Sequence, residues 1–124
     1  MEMENISISS IVKYLEKQSN ASIPLFMFGY NVEIENKSDN TVQLLNRHWE
    51  ITDGNGSTNI VNGKGVIGLQ PIIPKNEKFE YSSFCPLATE FGIMNGWYEM
   101  KNEDGMIFKV EIPTLNLFTP TSKN

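Results

Sequence analysis

A chain of 124 residues is of single-domain length, and 40% hydrophobic with 10% aromatic residues is enough to fill a core, which excludes a disordered tail. Ten Lys plus Arg against fifteen Asp plus Glu leave a net charge of −5, which opposes attraction to phosphate backbones and anionic lipid, so neither nucleic acid nor a membrane is expected as a partner. The single cysteine, Cys85, excludes an intrachain disulfide, and the acidic start Met1-Glu2-Met3-Glu4-Asn5 lacks the basic-then-apolar run of an export signal, so a cytoplasmic location is expected.

In chain order, the spacing of apolar residues predicts a short helix over Ile11 to Ser19. From Leu25 to Asn36, Phe26, Phe28, Tyr30, Val32 and Ile34 share one parity and Gly29, Asn31, Glu33 and Glu35 the other, the pattern of a half-buried strand. Lys37-Ser38-Asp39-Asn40 reads as a polar turn, after which Thr41 and Val42 open a second strand reaching Asp53, and the two strands are expected to pair as a hairpin. Asp53-Gly54-Asn55-Gly56 is the strongest turn signal, because glycine and asparagine accept positive φ, and a strand over Ser57 to Val61 follows it. Phe79, Tyr81 and Ser83 alternate with Glu80 and Ser82 in a strand bounded by Pro74-Lys75-Asn76 and Pro86. The next strand, Gly92 to Asn102, puts Met94, Tyr98 and Met100 on one face and Trp97 and Glu99 on the other. After the turn Glu103-Asp104-Gly105, Met106, Phe108, Val110 and Ile112 alternate with Ile107, Lys109 and Glu111 until Pro113 ends the strand. About seven short strands with frequent turns specify an all-β fold, an antiparallel β-sandwich of immunoglobulin-like or fibronectin-III-like type. One domain is expected over 1–124, with flexible ends at about 1–5 and 119–124.

Gly63-Lys64-Gly65-Val66-Ile67-Gly68 matches G-x-G-x-x-G, a spacing that lets backbone amides approach a pyrophosphate at a helix N-terminus. Here Leu69-Gln70-Pro71-Ile72-Ile73-Pro74 follows, and β-branched residues with two prolines prevent that helix. Two readings stay open: a nest of amides for an anion, with Lys64 adding charge, or a bend between sheets. Arg47 and His48 are adjacent, so the strand period sends them to opposite faces. One histidine and one cysteine are too few for a structural zinc site, and no metal site is expected. A nucleophile elbow is lacking and Cys85 lies between Phe84 and Pro86, so no catalytic set is assigned. Trp49, Trp97, Phe84 and Phe91 are core candidates, with an outward minority able to anchor another protein.

Val42-Gln43-Leu44-Leu45-Asn46-Arg47-His48-Trp49, Gly63-Lys64-Gly65-Val66-Ile67-Gly68-Leu69-Gln70-Pro71 and Gly92-Ile93-Met94-Asn95-Gly96-Trp97-Tyr98-Glu99-Met100 occur in the order in which they stand in the bacterial ApaG family, which the chain resembles from about Tyr14 to Pro113. The resemblance implies a seven-stranded fibronectin-III-like sandwich and an association with cobalt and magnesium resistance or efflux. It also implies an interaction module, because similar domains stand beside other domains in eukaryotic F-box and polymerase-delta-interacting proteins. The family's glycine motif, proposed there as a pyrophosphate or nucleotide site, corresponds to Gly63, Gly65 and Gly68. Pro74-Lys75-Asn76-Glu77 replaces the usual Pro-Gly turn, with Asn76 suited to positive φ, and Phe84 stands where glycine is common.

The expected function is therefore that of a non-enzymatic binding module without a cofactor, whose partner is another protein engaged through Arg47, Trp49, Phe84 and Trp97. Any link to cobalt or magnesium is expected to be indirect. The alternative is a pyrophosphate- or nucleotide-binding protein holding a weakly bound phosphate-type ligand on Gly63, Lys64, Gly65 and Gly68, and a homodimer is left open.

Overall fold

Alternation fixes which side of each strand is apolar, and burial of those sides against each other builds the molecule. In the computed structural model, which describes residues 5–121, eight strands form: β1 (Ile6–Tyr14), β2 (Phe26–Asn36), β3 (Val42–Asp53), β4 (Thr58–Lys64), β5 (Ile72–Ile73), β6 (Lys78–Leu87), β7 (Phe91–Lys101) and β8 (Ile107–Phe118). All pairings are antiparallel. One sheet has the order β1-β2-β6, and the other runs β4-β3-β7-β8 with the short β5 also on β3. This is the expected antiparallel β-sandwich.

The small sheet contributes Phe28, Tyr30, Val32 and Ile34 from β2 and Tyr81, Cys85 and Leu87 from β6 to the core. The larger sheet answers with Leu44 and Trp49 from β3, Met94, Tyr98 and Met100 from β7, and Ile112, Leu115 and Leu117 from β8. Trp49 meets Tyr30 and Tyr98 edge-on, at ring-centroid separations of 5.8 and 6.4 Å, geometries that suit aromatic quadrupoles. The Tyr81 and Tyr98 hydroxyls, 2.5 Å apart, satisfy each other across the interface between the sheets, and burial raises the pKa of both. Burial likewise pushes the Cys85 thiol up to about 11.

Four local expectations are corrected. The segment Ile11 to Ser19 is not a helix: β1 runs to Tyr14, and only Glu16–Gln18 makes a single 3-10 turn. Ile6, Ile8, Val12 and Tyr14 have the parity to pack on the core, and pairing with β2 outweighs the local helical spacing. The strands β2 and β3 do not form a hairpin but lie in different sheets. Asn36 carries the crossing: its buried amide donates to the carbonyls of Asn40 and Ile73 and accepts from the amide and hydroxyl of Ser38. Neither Pro86 nor Pro113 ends a strand. Pro86 sits within β6, whose one paired neighbour is β2 and whose edge position tolerates a missing donor, while the β7–β8 register slips beside Pro113, between Gly96↔Ile112 and Met94↔Leu115.

Of the ends expected to be flexible, 1–4 and 122–124 lie outside the described residues, while Thr119 is buried and its amide donates to the Glu90 carbonyl. Among the described residues, no helix is long and apolar enough to cross a membrane.

Candidate functional site

The outward parity of β3, β4, β7 and β8 carries polar and aromatic side chains that the register brings into rows. His48 on β3 stands between Asn62 on β4 and Trp97 on β7, and Asn46 stands beside Glu99, which in turn neighbours Lys109 on β8. The His48 and Trp97 rings stack with centroids 3.8 Å apart and planes 16° apart. Lys109 places its Nζ 4.3 Å from the Trp97 ring centroid, within cation–π range. These groups border an open cleft of about 510 Å3, lined by Asn46, Arg47, His48, Asn62, Gly63, Trp97, Glu99 and Lys109.

Hydrogen bonds fix the histidine. Its Nε2 lies 2.9 Å from Glu50 Oε2 and its Nδ1 lies 2.5 Å from Asn62 Oδ1. Two oxygen acceptors favour the imidazolium, which donates from both nitrogens, so the His48 pKa is raised, first by the Glu50 carboxylate and then by Asn62. Asn46 donates to Glu99 Oε1 over 2.7 Å, which aims that carboxylate. The result is a preset platform of one indole, an imidazole stacked on it, one ammonium group and flanking carboxylates on rigid strands, a surface equipped to recognise polar and aromatic groups. Its lining holds no hydroxyl or thiol nucleophile, and among the described residues no three His, Cys, Asp or Glu side chains are grouped to hold a metal ion.

Gly96 lets this face close up. A Cβ there would lie 2.1 Å from the His48 carbonyl oxygen and 3.0 Å from the Trp49 ring, so only glycine allows β7 to approach β3 at this point.

The glycine motif forms a different structure. Gly63 and Lys64 end β4, Val66 is buried, and Val66 and Leu69 exchange both backbone hydrogen bonds at 2.8 Å across a two-residue turn with positive φ at Ile67 and Gly68. The Gly65 amide donates to the Leu45 carbonyl, so the amides of Gly65, Val66 and Leu69 are engaged inside the fold rather than turned toward a ligand. Arg47 lies on the inner parity, opposite His48 as its spacing requires, and its guanidinium donates to the carbonyls of Lys64 and Gly65 at 3.2 and 2.9 Å. Lys64 and Gly68 border a separate cleft with Leu69 and Gln70, of about 430 Å3. Asn76 has φ of 67°, as the Pro74-Lys75-Asn76-Glu77 turn requires.

The four side chains assigned to a protein partner therefore separate. Trp49, 2% exposed, is a core side chain and offers no outer surface, because the β-bulge between Leu44 and Asn46 reverses the alternation of β3 and turns it onto the same wall as Leu44. Phe84, 67% exposed, projects from the small sheet beside a shallow groove lined by Ile11, Lys13, Leu15 and Gly29. Arg47 and Trp97 border the same cleft, although Arg47 is occupied as a clip on the connector. Sequence reasoning missed the grouping of His48, Asn62, Glu50 and Lys109 with Trp97. The available signal was the outward parity of Trp97; His48 shares the sequence parity of the core residues Val42 and Leu44, and only the bulge between Leu44 and Asn46 turns it outward, which, like the β3–β7 register that joins the two rings, is not visible locally.

Comparison with known proteins agrees with this architecture. The family model described as the ApaG domain matches residues 16–102. The chain is 46% identical over 110 residues to Protein ApaG of Brucella abortus strain S19, covering 89% of this chain and 85% of that protein. It is 44% identical over 119 residues to Protein ApaG of Beijerinckia indica, covering 96% and 92%. A crystal structure of a Bordetella pertussis protein designated ApaA superposes with a TM-score of 0.91 at 38% identity, covering 94% of this chain and 95% of that one. With the family model on more than half of its length and relatives above two-fifths identity along nearly all of it, the chain belongs to the ApaG domain family.

Proposed function

We propose that this protein is a non-enzymatic interaction module that grips a segment of another protein on the outer face of its larger sheet. The observation that carries this reading is the stack of His48 on Trp97 with Lys109 over the same ring, held at the mouth of an open cleft. Partly exposed tryptophan, flanked by charge and mounted on strands, is the composition of an interface anchor, and its ordering cost is met before binding. The alternative nucleotide site is disfavoured by the connector, whose amides at Gly65, Val66 and Leu69 already have carbonyl partners. An association with cobalt or magnesium resistance would then act through the partner.

The test is quantitative capture from bacterial cytosol on the immobilised wild type, Trp97→Ala and Lys64→Ala, read by mass spectrometry. A protein retained by the wild type and Lys64→Ala, with affinity reduced about tenfold or more by Trp97→Ala, is expected. Equal retention by all three proteins contradicts the assignment.

A further inference from the structure

The two sheets expose unlike edges. The outer edge of β6 is interrupted by Lys78, Glu80 and Pro86, devices that discourage strand addition, while β1 lies alongside β8. The β4 edge of the larger sheet is protected only at its end, by Lys64: Thr58-Asn59-Ile60-Val61-Asn62-Gly63 contains no charge and no proline, and Thr58 through Asn62 are exposed. Its backbone hydrogen bonds follow from the flanking contacts. The Asp53 amide donates to the Ser57 carbonyl and the Gly65 amide to the Leu45 carbonyl, with Ile51↔Asn59, Trp49↔Val61 and Arg47↔Gly63 in register between them. In an antiparallel ladder the hydrogen-bonded pairs alternate, so the odd-numbered residues of β4 face β3. The N–H and C=O of Thr58, Ile60 and Asn62 therefore point outward, and among the described residues none has a strand partner on that side.

From this edge we infer that β4 pairs with β4 of a second copy of the chain about a two-fold axis at Ile60, joining two larger sheets into one. That register sets Ile60 against its own copy and Thr58 against Asn62 of the second copy, so every outward donor of the three residues meets an outward acceptor. No like charges come opposite one another, because Lys64 falls against Gly56 of the second copy. Ile60, 61% exposed, gains an apolar neighbour. The axis stands across the sheet, so both His48–Trp97 clefts face the same way, although the pairing itself is independent of what binds in them. A single strand pair is smaller than the ~1,200 Å2 of a stable interface, so the dimer is a weak, concentration-dependent one.

Sedimentation equilibrium over a wide concentration range tests this on the wild type and Ile60→Lys. The wild type is expected to shift from monomer to dimer with rising concentration, and Ile60→Lys, which opposes two ammonium groups at the axis, to remain monomeric with an unchanged melting temperature. Ile60→Cys gives a second readout that does not depend on the lysine variant. A hydrogen-bonded antiparallel pair holds its Cα atoms about 5.5 Å apart, within disulfide range, and the natural thiol of Cys85 is buried, so mild oxidation should trap a dimer through position 60. Ser57→Cys, which falls against Gly63 of the second copy, should not cross-link. A wild type that stays monomeric at all concentrations, a dimer that survives Ile60→Lys, or equal cross-linking at positions 57 and 60 would overturn the inference.

Discussion

The glycine connector after β4 and the outer face of the larger sheet lie side by side and use their polar groups in opposite ways. In the connector, Gly65, Val66 and Leu69 turn their amides to carbonyls of the fold, and Arg47 crosses over to hold the carbonyls of Lys64 and Gly65. On the sheet face, His48 bonds Glu50 and Asn62 through side chains that border solvent, and Lys109 lies over the Trp97 ring beside an open cleft. Backbone groups engaged internally make a connector rigid, and side chains fixed at a surface make a face ready to bind. The same contrast predicts that changes in the connector damage stability while changes on the face damage binding.

The largest effect is expected at Gly65. Its φ is +63°, and a Cβ would lie 1.9 Å from the Leu69 carbonyl oxygen, so Gly65→Val combines backbone strain with a backbone clash. A loss of about 3 kcal/mol or more is expected from those two causes, read as a lower urea midpoint; an unshifted midpoint would show that the connector tolerates another path. Arg47→Ala should cost less, about 1–2 kcal/mol, because the carbonyls it held regain water, and melting curves of the folded variant measure it. On the face, Trp97→Ala should impair capture of the partner far more than it lowers stability, since its ring packs on His48 and Lys109 rather than in the core. The smallest effect concerns pH. The folded His48 pKa is raised, so the protonated ring contributes stability fully below its unfolded pKa near 6.5, and that contribution is lost as pH rises through the folded value. A slight fall in melting temperature as pH rises from about 6.5, absent in His48→Gln, is the expected signature.

Strands were legible wherever burial on one side imposes a period of two: Phe28, Tyr30, Val32 and Ile34 on β2, or Met94, Tyr98 and Met100 on β7, mark their own wall of the core. The turn Asp53-Gly54-Asn55-Gly56 was equally plain, with Asp53 Oδ1 accepting from the amides of Asn55 and Ser57 and Gly56 at positive φ. What escaped depends on residues far away in the chain. Ile11 to Tyr14 fits a helix or a strand, and only the register with Val12↔Tyr30 and Tyr14↔Phe28 decides it. A polar turn reads alike whether it closes a hairpin or carries the chain to the other sheet, and it is Asn36 reaching Ile73 that selects the crossing. For the site, parity placed Trp97 outward but did not reveal that His48, 49 positions earlier, stacks on it.

The most direct test of the division between connector and face is backbone and indole NMR on the isotope-labelled chain, titrated separately with pyrophosphate and with the captured partner. The partner is expected to perturb the Trp97 indole and the amides of Asn46, His48, Asn62 and Lys109, and pyrophosphate to leave Gly63, Gly65 and Gly68 unmoved. Saturable shifts at those glycines on adding pyrophosphate, with the Trp97 indole unaffected by the partner, would contradict that division.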